Sequence, residues 1–210
     1  MVLSTPLADH LACAAMFHSR LCPRQVLGVR MARMACDLLG VDPALERKSL
    51  SVYMEIGRCA ADGVIVVTLA SPTNGLMRLM DYGKIAATFV RRSTGEAIRI
   101  SERPLCRQAA VELLPHLSPW EAQRDGYQSL PDAQLFNWQP VQVGVPPLAM
   151  PKKQAVICQR CGDRVNEQAE VVIDGAPLCK ACAYTAYFSP ITISPAAEGL
   201  LRPDLPVYSS

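Results

Sequence analysis

The chain has 210 residues, half of them apolar and 19% charged, with nine Cys, 17 Pro and 12 Gly. That apolar share excludes a disordered protein, which would bury too little surface to offset its chain entropy, and the length fits one ordinary domain plus a smaller module. Twenty-one Lys and Arg stand against 19 Asp and Glu, a net charge of +2, so no whole-chain field draws the molecule to nucleic acid or to a membrane.

No apolar run reaches the roughly 20 residues of a spanning helix. Residues 1–16 lack the basic start of a signal peptide, and Asp9 and His10 break their apolar stretches. An odd number of Cys without an export signal favours reduced thiols, metal ligands or reactive thiols over a disulfide framework. The expected location is the cytoplasm.

The first predicted helix runs from Pro6 to about Met16, with Thr5 as cap and Leu7, Leu11, Ala14 and Ala15 on one face. A second opens at Pro23, carries Leu27, Met31, Met34, Ala35 and Leu38 at helical spacing, and closes at Gly40. Leu50–Ile56 alternates as a half-buried strand. Cys59–Leu69 fits a helix better than a strand, because Gly57-Arg58 leaves little room for a turn between strands. Tyr82–Arg91 and Ala97–Ile100 form a predicted hairpin around Ser93-Thr94-Gly95. Pro104–Leu114 is a further helix. From Pro115 to Pro151 seven prolines interrupt any regular pattern, which predicts a linker arm; Trp120, Phe136 and Trp138 suggest that the arm docks on something.

The sharpest pattern lies late in the chain. Cys158-x-x-Cys161 and Cys179-x-x-Cys182 are two knuckles separated by 17 residues. Four soft donors in two such pairs suit a tetrahedral Zn²⁺. Ala169–Ile173, the turn Asp174-Gly175 and Pro177-Leu178 supply a hairpin, and Gly162 lets the first knuckle turn. So small a unit has almost no core, so metal binding would supply its folding energy. Between Pro151 and Pro190 stand Lys152, Lys153, Arg160, Arg164 and Lys180 against Asp163, Glu167, Glu170 and Asp174. With four thiolates on one Zn²⁺ the ribbon is near neutral or slightly acidic, which disfavours phosphate binding. Tyr184, Tyr187 and Phe188 suggest packing onto the main domain or a second subunit.

A second cluster is less specific. His18 and Cys22 lie across the corner that opens the second helix, and Cys59 opens another; thiols at helix N-termini are candidates for lowered pKa values. His18-Ser19-Arg20-Leu21-Cys22-Pro23, running into Leu27-Gly28-Val29-Arg30-Met31, resembles the FmdE family, named for a component of formylmethanofuran dehydrogenase. Cys59-Ala60-Ala61-Asp62-Gly63-Val64 is similar to a second family segment, and Asp81-Tyr82-Gly83-Lys84 through Ile98-Arg99-Ile100 to a third. The resemblance implies an α+β core, a TraR/DksA-like zinc ribbon behind a linker, a homodimer, and association with molybdenum or tungsten enzymes of one-carbon metabolism. It also implies a metal or reactive-thiol site at the His/Cys corner. Here Arg20 replaces the family's second His, Arg24 its Gly, and Ser71 stands nearest to its missing Cys. Arg does not ligate metals. Arg20 and Arg24 would favour an oxyanion; alternatively the site has decayed to a scaffold. Glu55 and Lys84 are possible pocket residues. His10 and His116 read as ordinary histidines, and Cys13, Cys36 and Cys106 as packing residues.

The expected fold is α+β. N-terminal helices pack on a small, mostly antiparallel sheet over residues 1–115; then come a Pro-rich arm (116–151), a zinc ribbon (152–188) and a tail (189–210). Three functions are open: a non-enzymatic zinc-binding accessory protein of the FmdE type; an enzyme or metal or oxyanion carrier using Cys22, His18 and Cys59; and a zinc-ribbon regulator.

Overall fold

The computed structural model describes residues 2–17, 20–150 and 154–189. His18, Ser19, Lys152, Lys153 and the predicted tail from Pro190 onward lie outside the described residues. The fold is mixed α+β. The chain divides into two compact units, Met1–Met150 and Pro151–Ser210.

In the first unit, α1 (Leu7–Ala15) leads to α2 (Pro23–Leu39), β1 (Leu50–Met54), α3 (Cys59–Thr68) and β2 (Met77–Leu79). The hairpin β3 (Ala86–Arg91) and β4 (Ala97–Glu102) follows, then α4 (Cys106–Leu113). The strand predicted from Tyr82 starts only at Ala86, because Asp81 and Gly83 take positive φ and bend the chain. With a fifth strand, β5 (Phe136–Pro140), the sheet order is β2-β1-β3-β4-β5; β2 runs parallel to β1 and the other neighbours are antiparallel. β2 was not visible in the sequence, being only three residues long. β1 is fully buried rather than half-buried. One reason is that the segment after β5 crosses its second face, where the Tyr53 hydroxyl donates to the carbonyl of Pro146.

The segment predicted as a linker belongs to this unit. It forms α5 (Pro119–Ser129), the short α6 (Asp132–Leu135) and the edge strand β5 (Phe136–Pro140). Four of its prolines mark element boundaries instead of preventing structure. Pro115 follows α4, Pro119 is the first residue of α5, Pro131 caps α6, and Pro140 ends an edge strand, where a missing N–H is tolerated. Ser118 caps α5 by accepting from the backbone N–H of Glu121, whose carboxylate accepts from Ser118 in return. Phe136, Leu135 and Tyr127 complete the core.

In the second unit, the hairpin β6 (Ala155–Ile157) and β7 (Arg164–Asn166) carries the first knuckle in its loop. The hairpin β8 (Val171–Ile173) and β9 (Ala176–Leu178) turns at Asp174-Gly175, both at positive φ. It ends in α7 (Lys180–Ala183), which holds Cys182. The buried core of this unit is Cys158, Val165 and Leu178. Tyr184, Tyr187 and Phe188 are exposed.

Candidate functional site

In the ribbon the two knuckles meet. The Sγ atoms of Cys158, Cys161, Cys179 and Cys182 all lie within 4.8 Å of one another, and Cys161 Sγ stands 3.9 Å from Cys179 Sγ. Sulfurs at the corners of a zinc tetrahedron, about 2.3 Å from the ion, stand about 3.8 Å apart, so the residues present fit a tetrahedral ion. Gly162 at φ 78° turns the first knuckle. In the second, Cys179 caps α7 and its sulfur accepts from the backbone N–H of Cys182 at 3.4 Å. Backbone N–H groups of Cys161 and then of Cys179 hold the Cys158 thiol down to about 6, a thiolate at neutral pH. All four cysteines are free of disulfides.

In the first unit, α2 and α3 start beside each other. Cys22 is the N-cap of α2 and Cys59 the first residue of α3. Gln25 locks this corner. Its side-chain oxygen accepts from the Cys22 backbone N–H at 3.0 Å, and its amide donates to the Ala14 carbonyl at 2.6 Å. Cys22 and Cys59 line one cavity of about 330 Å³, with Leu27, Ile85, Trp120 and Tyr127 among its walls. The lowered thiol pKa expected at this helix start is not found for Cys22. Burial raises it, against the N–H of Gln25, and the neighbouring Cys59 thiol pushes it further up.

Of the other sequence candidates, Arg20 and Arg24 lie by this cavity and Glu55 does not. His18 lies outside the described residues. The Arg20 guanidinium stands 4.9 Å from the centre of the Trp120 ring, and that of Arg124 stands 5.4 Å away. Arg24 lines the thiol cavity and an adjoining one of about 390 Å³, which Lys84 also lines. Glu55 faces elsewhere and is bound by Arg99 in a two-pronged pair at 2.6 and 2.8 Å. Sequence reasoning missed Arg107 and Tyr127 and read Trp120 only as a docking aromatic of the arm, because α4 and α5 reach the cavity only through tertiary packing. Ser118-x-x-Glu121 was the available signal for α5.

A solved structure with this fold is a tungsten formylmethanofuran dehydrogenase FmdE-like protein from Syntrophus aciditrophicus. Its TM-score is 0.56 at 16% identity, over 89% of this chain and 96% of that one. A probable S-adenosyl-L-methionine-binding protein of Archaeoglobus fulgidus is 28% identical over 199 residues, 81% of this chain and 51% of that protein. The chain thus spans about half the length of the curated relative it matches. Among the described residues no helix is long and apolar enough to cross a membrane. The family model described as FmdE, molybdenum formylmethanofuran dehydrogenase operon, matches residues 17–139, the stretch from the His/Cys corner to the edge strand, and the chain belongs to the FmdE family.

Proposed function

We propose that the protein is a zinc-binding accessory protein of the FmdE type, without catalytic activity of its own. It would serve molybdenum- or tungsten-dependent one-carbon metabolism beside a formylmethanofuran dehydrogenase-like enzyme. The family's operon association supports the setting, and a cytoplasmic homodimer is the form proposed. The observation that carries the metal reading is the convergence of four sulfurs within 4.8 Å. Zinc there would have a structural role, because four thiolates leave no open position for substrate. Protein purified without added metal should contain one zinc per chain, and Cys161→Ser should lose it and melt the ribbon. Purified wild-type protein without stoichiometric metal would overturn this reading.

A second reading is favoured by one observation, the shared cavity of Cys22 and Cys59. In it, these thiols with His18 hold a second metal or react as nucleophiles, making the core an enzyme or carrier. Two metals per chain, falling to one in Cys22→Ser, would select it. The Archaeoglobus relative adds S-adenosylmethionine to the ligands worth titrating against this core.

A further inference from the structure

The thiol cavity of about 330 Å³ and its neighbour of about 390 Å³ share Arg24, Ile85 and Arg107 as walls. The two cavities adjoin across these shared side chains and differ in their other walls. One is apolar and aromatic, with Leu27, Ile85 and Trp120. The other is polar, with Lys84, Arg99, Ser101 and Glu102. Each has the size of a small-molecule site.

The charges around these adjoining cavities do not balance. Arg99 is taken by Glu55, and Arg107 donates to Glu102 at 3.3 Å. Arg24 and Lys84 have no anionic partner among the described residues. They come from separate elements, Arg24 from the first turn of α2 and Lys84 from the bend before β3. The positive end of the α2 dipole adds to the same field. Two unpaired cations at one end of a partly apolar cavity recognise a group with two negative charges on an apolar body.

We propose that the adjoining cavities together bind a small organic dianion. Its charged group sits between Arg24 and Lys84, and its apolar body rests against Leu27, Ile85 and Trp120, beside Cys22 and Cys59. This deepens the second reading above by naming a ligand class, and it needs neither a metal nor a reaction at the thiols.

The chain has two Trp, and only Trp120 lines these cavities. Full-length Trp138→Phe therefore makes Trp120 the reporter, and calorimetry on the wild-type chain provides a second measurement. Phenyl phosphate should change Trp120 fluorescence saturably, and inorganic phosphate, which lacks the apolar body, should bind at least about tenfold more weakly. Phenol, the same ring without the charge, should not saturate. Arg24→Gln and Lys84→Gln, both at exposed positions, should each weaken phenyl phosphate about tenfold with unchanged melting. Arg92→Gln should leave binding unchanged. Cys22→Ser should keep binding even where it removes a metal, which separates this proposal from the metal reading. Absence of saturable binding, equal affinity for phenol, or indifference to both Gln variants would overturn it.

Discussion

Arg30 sits on α2, yet its guanidinium closes the end of α5. It donates to the carbonyls of Tyr127 and Gln128 at 2.7 and 2.9 Å, to that of Leu130 at 2.8 Å, and to Asp132 at 2.8 Å. Those of Tyr127 and Gln128 are among the unpaired carbonyls that every helix leaves at its C-terminus, and Leu130 is the residue that caps it. A planar five-donor fork can serve several of them at once. Arg30→Ala should cost about 2–3 kcal/mol in urea unfolding followed by tryptophan fluorescence, and Arg30→Lys should recover only part. The residue stands in the Gly-x-Arg-Met stretch by which the family is recognised, and its contact explains why that stretch and the later Pro-rich segment belong to one unit. Spacing could not reveal this, since donor and acceptors lie about a hundred residues apart. His10 makes the same point: it had no partner in sequence, but its Nδ1 lies 2.9 Å from Arg33, and burial, followed by that cation, lowers its pKa.

At the scale of elements, the decisive contact is between α2 and α3. A Cβ on Gly28 would fall 2.1 Å from the Ala60 carbonyl oxygen, and one on Gly63 would fall 2.4 Å from that of Gln25. The two helices touch backbone to backbone, which brings Cys22 and Cys59, at their starts, into the same cavity. Gly63→Ala should therefore force the helices apart. The expected cost is about 3 kcal/mol or more, read as a lower melting temperature together with a changed accessibility of Cys22 to thiol reagents. Unaltered stability would mean that the helices slide freely. Both helices were legible in the sequence, α2 from Pro23 and Gly40 and α3 from the lack of room for a turn at Gly57-Arg58. Their close crossing was not, because a glycine in a helix reads as a weakness until its neighbour is known. The segment after Pro115 failed differently. The density of prolines predicts a linker and passes over the Ser118/Glu121 cap, although Pro115, Pro119, Pro131 and Pro140 each occupy a position where no hydrogen bond is broken.

The whole molecule combines two units stabilised in different ways. The larger has an extended apolar core, in which Cys36 and Cys106 are buried. Burial, ahead of the charges of Asp37 for Cys36 and Glu102 for Cys106, pushes both thiols up to about 12. The folded chain thus keeps protons that the unfolded chain releases near pH 9. Stability from these groups is complete below about pH 9 and is lost as pH rises toward 12. Urea midpoints should fall between about pH 8 and pH 10, and the fall should be smaller in Cys36→Ala but not in Cys13→Ala, whose thiol is exposed. An equal fall in all three would sink this account. The smaller unit has a core of three buried residues among those described, and on the proposed metal reading an ion on its four sulfurs would supply the rest of its stability. By itself, the sequence determined whatever local chemistry dictates: helices that begin at proline and end at glycine, the Asp-Gly turn, and two thiol pairs whose spacing makes a knuckle wherever they occur. Tertiary structure alone decided that the proline-rich stretch becomes the edge of the sheet, that Arg20 stands over an indole ring, and that Arg24 and Lys84 face one space. Those outcomes depend on packing between residues far apart in the chain, where a side chain's partner is set by the fold and not by its neighbours in sequence.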